Sequence, residues 1–162
     1  LLSFALTGQD GNPFTLESLH EHWTFLSIGY THCPDVCPTT LATFNAVDQQ
    51  TVSAEQRPEF LFVSVDPERD TPEKLGQYVT YFNPHFRGAT GEQEALKDFT
   101  GQLGLIYGRV EGENTALDYL VDHSASILLI DPLGRLAAIF SAPHDSTAIA
   151  QDFIAITNQT NR

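Results

Sequence analysis

Hydrophobic residues in this chain form short continuous runs that alternate with amphipathic stretches, and this pattern predicts an α/β fold. Residues 23–30 (WTFLSIGY) make an apolar run of strand length, typical of a central strand covered on both faces. Residues 60–65 (FLFVSV) predict a second buried strand. Between the two, Leu41, Phe44 and Val47 recur at helical spacing. A strand, a helix and a second strand therefore form the predicted centre of the molecule.

The flanking segments extend this centre to a mixed sheet. Residues 70–73 (DTPE) predict a helix start, with a capping side chain and a proline in the first turn. Strands that alternate with helices and close on an antiparallel pair predict helices on both sheet faces. We therefore expect a thioredoxin-like fold with an extra N-terminal hairpin and an inserted strand. The other predicted strands are 4–6, 14–16, 106–110, 116–121, 125–130 and 136–141, and further helices are predicted at 92–103 and from 145 to about 158.

Length and charge narrow the possible functions. The 162 residues suit one domain, expected over 1–162. With 21 acidic and 8 basic residues the net charge is -13, which repels phosphate backbones and excludes nucleic acid as an expected partner. No apolar run is long enough to cross a bilayer. The chain begins at Leu1 without a methionine, so we expect a mature or shortened form whose N-terminal anchor is absent.

The two cysteines of the chain, Cys33 and Cys37, lie in one short run after the first central strand. Pro34 and Pro38 disfavour helical conformation in the residues before them, so a tight loop with Cys37 capping the next helix is predicted. A thiol at a helix N-terminus has a lowered pKa, which favours the thiolate. The spacing permits either a disulfide or a shared metal ion.

A stable metal site needs a third ligand besides the two thiolates. Among six histidines, His123 is the preferred candidate because it immediately precedes the predicted strand 125–130. In a thioredoxin-like layout, the loop entering that strand faces the cysteine loop. Two sulfurs and one imidazole suit copper, although zinc with an open position is also chemically possible. The structural alternatives are a plain stabilising disulfide for the cysteines, and a turn residue or a hydrogen-bonded buried residue for His123.

Asp66 follows the second buried strand and is a candidate neighbour of the cysteine loop. There it would accept or supply a hydrogen bond behind the ligands and tune the thiolate charge. The alternative is a turn-forming aspartate before Pro67. Arg69 and Asp70 are predicted to pair with each other or to cap the following helix.

Three blocks of the sequence carry a resemblance to a known family. They are GYTHCPDVCP at 29–38 with Trp23 and Thr24 upstream, FVSVDPERDTP at 62–72, and VDHS at 121–124 followed by DPLG at 131–134. In this order, across most of the chain, they resemble the Sco/SenC family of copper-binding assembly proteins for cytochrome c oxidase.

The resemblance implies a thioredoxin-like fold with copper, as Cu(I) or Cu(II), held by Cys33, Cys37 and His123. It also implies delivery of copper to the dinuclear copper centre of cytochrome c oxidase, or reduction of the cysteines of that centre. The expected partner is the subunit that carries this centre, together with another copper chaperone or a thiol reductant.

Members of this family usually carry an N-terminal membrane anchor. The expected location is the periplasm or the outer face of a bacterial cytoplasmic membrane, with the mitochondrial inner membrane as the alternative.

The rival function is a thiol–disulfide oxidoreductase or peroxidase that acts without metal. Against it, the usual redox motif has two intervening residues, and residues 117–126 lack the proline that thioredoxins place opposite their cysteines. Whether the protein is also an enzyme, through thiol–disulfide reductase activity, stays open at this point.

Overall fold

A computed structural model describes residues 3–31, 36–53, 56–104, 126–141 and 144–160, with residues 36–38 and 160 described by their backbone alone. The strands predicted at 106–110 and 116–121, and with them the inserted strand, lie outside these residues. The strands are β1 (Ala5–Gly8), β2 (Pro13–Thr15), β3 (Thr24–Gly29), β4 (Glu59–Ser64), β5 (Arg87–Thr90), β6 (Ile127–Ile130) and β7 (Leu136–Phe140). The helices are α1 (Val36–Thr51), α2 (Pro72–Phe82), α3 (Gln93–Gln102) and α4 (Ser146–Thr160), with a 3-10 turn at Leu16–Leu19.

The described strands form one mixed sheet in the order β2-β1-β5-β4-β3-β6-β7. The central strands β3, β4 and β5 are parallel, whereas β1 and β6 pair antiparallel to their central neighbours. The predicted N-terminal hairpin is β1–β2, and the predicted terminal hairpin is β6–β7. The sequence pattern did not predict β5, which joins the N-terminal hairpin to the centre of the sheet.

Aromatic residues attach α1 and α4 to one face of the sheet. Phe25 of β3 and Phe60 of β4 are register partners and their rings stack at 5.5 Å. Phe60 contacts Phe44 of α1 at 5.2 Å, and Phe25 contacts Phe153 of α4 at 5.4 Å between ring centroids. All four rings are buried, so the apolar area that they remove from water contributes a large part of the free energy of folding.

Helix α2 covers the same face beside β5. Phe62, two positions after Phe60 in β4, contacts Tyr78 of α2 with ring centroids 5.9 Å apart. Gly88 pairs with Phe62, and a Cβ at Gly88 would lie 2.7 Å from Cγ of Leu75 in α2. The absence of a side chain at Gly88 therefore allows α2 to approach the sheet this closely.

Helix α3 packs on the opposite face. Its Phe99 contacts Phe4 with ring centroids 4.7 Å apart. Phe4 is four positions before Gly8 of β1 and therefore lies on the same face of the sheet. Gly8 pairs with Ala89, and Ala89 faces away from α2 because it follows Gly88 in β5. The prediction of helices on both faces is confirmed.

The start of α1 differs from the prediction. The helix begins at Val36, so Cys37 is its second residue and not its cap. Pro38 is tolerated there because the first backbone N–H groups of a helix have no intrahelical acceptor to lose. No described helix is both long and apolar enough to cross a membrane.

Candidate metal centre

The cysteine run and the Asp66 loop leave the sheet at the same edge. β3 and β4 are parallel and remain paired to their last residues, Gly29 and Ser64. Beyond the ladder, the Val65 N–H still donates to the Gly29 carbonyl at 2.9 Å. The segment after β3 and the segment after β4 therefore start side by side, where the carboxyl ends of parallel strands commonly hold functional groups.

Strand β6 brings a third segment to this edge. It pairs antiparallel with β3, with Leu26 opposite Leu128, so its first residue Ile127 lies towards the carboxyl end of β3. His123 stands three positions before Ser126, where the described chain resumes. The segments that contain the cysteines and His123 therefore connect to the same edge of the sheet.

The predicted ligands themselves lie largely outside the described residues. This applies to Cys33 and His123 entirely and to the side chain of Cys37, whose backbone is in the first turn of α1. The convergence of the two sulfurs and the imidazole on one ion stays a prediction.

Asp66 is fully buried at the start of the loop after β4. Its backbone N–H donates to Oγ of Ser64 at 3.2 Å, and its Oδ2 accepts from Nε of Arg69 at 2.5 Å. The cation of Arg69 compensates the carboxyl group, which would otherwise be costly to bury. Oδ1 of Asp66 has no hydrogen-bond partner among the described side chains and backbone. The predicted contact of Asp66 with the cysteine loop stays a prediction.

Asp70 makes a connection that the sequence analysis did not predict. It is fully buried, and its Oδ2 accepts from the Thr31 N–H at 2.9 Å and from Oγ of Ser64 at 2.6 Å. Its Oδ1 accepts from Oγ1 of Thr31 at 2.5 Å. One carboxyl group thus joins the second residue after β3 to the last residue of β4.

The predicted role of Arg69 and Asp70 was wrong. They do not pair with each other in the structure, because Arg69 bonds to Asp66 and Asp70 bonds to Thr31. Nor does either of them cap α2, since the side chain of Thr71 accepts the Lys74 N–H at 3.3 Å. A hydroxyl residue at or just beyond the end of each buried strand, with an aspartate shortly after the second, was the signal that could have indicated this network.

Two of the described histidines, His85 and His144, contact nearby backbone carbonyls. Nε2 of His85 lies 3.3 Å from the Pro58 carbonyl and 3.6 Å from a Glu59 carboxyl oxygen. Nε2 of His144 lies 3.2 Å from the Phe140 carbonyl. Within the described ranges, no three His, Cys, Asp or Glu side chains cluster as metal ligands.

Comparison with known proteins places the chain among relatives of one kind. The SCO1/SenC family model matches residues 2–158. An SCO2-like protein of Rickettsia prowazekii (strain Madrid E) is 36% identical over 134 residues, which cover 82% of this chain and 64% of the relative. The chain thus spans slightly less than two thirds of the length of that curated relative.

Solved structures agree over nearly the whole chain. The structure of Arabidopsis thaliana ScoI with copper bound is 33% identical, with a TM-score of 0.88 and coverage of 98% of both chains. That of Bradyrhizobium japonicum ScoI with copper bound is 34% identical, with a TM-score of 0.78 and coverage of 93% of this chain and 95% of the other.

These likenesses confirm the thioredoxin-like fold expected from the order of strands and helices. They also confirm the relationship suggested by the three sequence blocks, because the family match runs through all of them. The chain belongs to the SCO1/SenC family.

Proposed function

We propose that this protein is a copper-binding metallochaperone for cytochrome c oxidase assembly, with copper as its cargo on Cys33, Cys37 and His123. The observation that carries the proposal is the antiparallel pairing of β3 with β6. This pairing brings the end of β3, which the cysteines follow, and the start of β6, which His123 precedes, to the same edge of the sheet. The copper in the solved relatives of Arabidopsis and Bradyrhizobium supports the choice of metal.

The proposed ligands suit copper in both oxidation states. Soft thiolates favour Cu(I), and an imidazole nitrogen adds a ligand that Cu(II) prefers. Cys37 lies in the first turn of α1, where the partial positive charge of the helix terminus favours its thiolate. Oδ1 of Asp66 is the atom through which Asp66 would bond to the cysteine loop.

Copper release is proposed to follow docking on the copper-centre subunit of the oxidase. The ligands of the partner replace Cys33, Cys37 and His123 stepwise, so the ion is never free. The same pair supports a second activity, because two thiols can pass two electrons and two protons to a disulfide of the partner and form the Cys33–Cys37 disulfide. We place this exchange at the outer face of a bacterial cytoplasmic membrane, or in the periplasm, where dithiols and disulfides interconvert.

Titration of Cu(I) against a chromophoric competing chelator tests the proposal. We expect reduced wild-type protein to bind one equivalent, and Cys37→Ser and His123→Ala to bind about a hundredfold or more weakly, because each loses a ligand. His144→Ala is the matched control, since that histidine contacts a backbone carbonyl and should leave the affinity unchanged. Wild-type affinity in His123→Ala would remove His123 from the site, and wild-type protein that binds no copper would refute the function.

A metal-free thiol–disulfide oxidoreductase is the competing function, because the cysteine pair follows the first central strand of a thioredoxin-like sheet. It predicts rapid reduction of insulin by the metal-free dithiol form, at a rate that His123→Ala does not change.

A further inference from the structure

A buried carboxyl group holds Thr31, which lies in the chain segment that leads to the cysteines. Thr31 donates both its backbone N–H, at 2.9 Å, and its hydroxyl, at 2.5 Å, to the two oxygens of Asp70. Ser64 adds a third donor at 2.6 Å. Two bonds from one residue to one carboxyl group fix both the position and the orientation of the backbone at Thr31.

Asp70 is itself held by the turn after β4. Its backbone N–H donates to the Asp66 carbonyl at 2.8 Å, and Thr71 then caps α2. The Asp66 N–H in turn donates to the Ser64 hydroxyl that bonds Asp70. Because Asp70 is fully buried, its bonds are protected from competition by water.

The other end of the cysteine run is held by different means. Cys37 belongs to α1, and α1 is fixed by the buried side chains of Leu41, Phe44 and Val47. Cys33 follows Thr31 by two positions. The two cysteines are therefore connected to two separate anchors, one polar and one apolar.

We propose that Asp70 is a positioning residue that holds the Thr31 end of the cysteine run and thereby sets the separation of the Cys33 and Cys37 sulfurs. This inference rests on the proposed function in one respect, namely that the two cysteines act as a pair. This role differs from the one predicted for Asp66, because Asp70 acts on the position of the chain and not on the charge of the thiolates.

By holding Thr31, Asp70 raises the effective concentration of the Cys33 sulfur near the Cys37 sulfur. When the Thr31 end is released, Cys33 samples a larger volume, so both a shared metal ion and a disulfide become harder to close. Loss of the Thr31 hydroxyl should therefore weaken copper binding and the disulfide together.

The test uses the Cys33–Cys37 equilibrium with glutathione, which needs no metal. In this reaction two glutathione thiols reduce the protein disulfide to two thiols and form one glutathione disulfide. We expect Thr31→Val to shift the equilibrium about tenfold towards the dithiol, which corresponds to about 30 mV for two electrons. Asp70→Asn should shift it in the same direction, and Thr31→Ser, which keeps the hydroxyl, should restore the wild-type value.

Thr100→Val is the matched control, because Thr100 is also buried and its hydroxyl donates to a backbone carbonyl at 2.8 Å in α3. It should lower the melting temperature as Thr31→Val does, without moving the glutathione equilibrium. Copper affinity, measured in parallel, should fall about tenfold in Thr31→Val and stay unchanged in the control Thr100→Val.

The proposal is overturned if Thr31→Val keeps a glutathione equilibrium within twofold of wild type, or if Thr100→Val shifts it equally. Absence of any disulfide in the wild-type protein would also contradict it, since sulfurs held close together should oxidise. Wild-type protein that fails to bind copper while Thr31→Val still shifts the disulfide equilibrium would refute the metallochaperone function but support the role of Asp70.

Discussion

Two buried aspartates at opposite ends of α2 use similar bonds for different purposes. Asp70 precedes the helix and holds Thr31, next to the cysteine run. Asp48, near the end of α1, accepts from Nη2 of Arg57 at 3.1 Å and from Nδ2 of Asn83 at 2.9 Å. Asn83 is the residue that follows the last turn of α2. The chemistry of a buried aspartate does not by itself distinguish a role at the functional site from a role in stability.

The position of each network in the fold makes that distinction. Arg57 lies just before β4, so Asp48 joins the end of α1 to the amino end of that strand. Asp70 joins the carboxyl ends of β3 and β4, from which the cysteine run departs. Among the described residues, the second network includes Thr31, two positions before Cys33, and the first includes no residue so near a proposed ligand in sequence. We therefore expect the first network to affect stability alone.

The largest expected effect comes from Asp48→Ala. The substitution leaves Arg57 and Asn83 without this acceptor, and we expect the free energy of unfolding to fall by about 2–4 kcal/mol. Urea denaturation measures the loss. Copper affinity and the glutathione equilibrium should stay within twofold of wild type, and a drop as large as that of Thr31→Val would remove the distinction between the two networks.

A smaller effect is expected from Gly88→Ala, which acts on α2 between the two networks. The new Cβ would lie 2.7 Å from Cγ of Leu75, so the helix or the side chain has to move, at a cost of about 1–3 kcal/mol. If the movement reaches the start of α2, copper affinity falls with stability. If Leu75 alone adjusts, thermal unfolding changes and copper affinity does not.

Gly101→Ala in α3 is the control for Gly88→Ala, because nothing lies within 4 Å of the added Cβ. Removal of a helical glycine there should raise stability by about 0.5–1 kcal/mol. A destabilised Gly101→Ala would show that the loss at Gly88 does not come from the clash with Leu75.

The smallest effect is expected from Asp10, an exposed aspartate in the turn between β1 and β2. Its Oδ1 accepts the Asn12 N–H at 2.9 Å, and this hydrogen bond lowers the pKa of Asp10 below its ordinary value of 3.8. The lowered pKa means that the carboxylate stabilises the fold above pH 3.8 and loses this contribution as the pH falls through the lowered value. Asp10→Asn should therefore be slightly less stable than wild type at pH 7, and the difference should shrink in acid.

Urea unfolding of Asp10→Asn and wild type at pH 7 and near pH 3 measures this difference. A destabilisation as large as that of Asp48→Ala would mean that burial is not what separates strong from weak aspartate networks in this chain.

Local sequence signals were sufficient for most of the described fold. The buried strands β3 and β4 could be predicted because a continuous apolar run is visible without knowledge of its neighbours in the sheet. The start of α2 was indicated by Thr71 and Pro72. β5 was missed because Arg87–Thr90 (RGAT) has no apolar run and contains a glycine. It is a strand because β4 and β1 supply hydrogen bonds on both sides, which is information that four residues do not contain.

The sequence predicted the ligands of the site but not the hydrogen bonds of Asp70 beside it. The segments after β3 and β4 start side by side because the two strands are parallel, whereas the contact of Asp66 with the cysteine loop stays a prediction. The partner of Thr31 was not predictable, since Asp70 is 39 positions away and its neighbours Asp66 and Glu68 are also acidic. Burial and turn geometry, which the sequence pattern does not determine, select one carboxyl group among the three.

The antiparallel pairing of β6 with β3 has a consequence for the order in which the protein is built. Leu128 reaches its place beside Leu26 only after roughly a hundred further residues have been added to the chain. Contacts so distant in sequence form late, because a long loop must close before they contribute. During synthesis the ribosome therefore releases the cysteine run well before the strand that completes its side of the sheet.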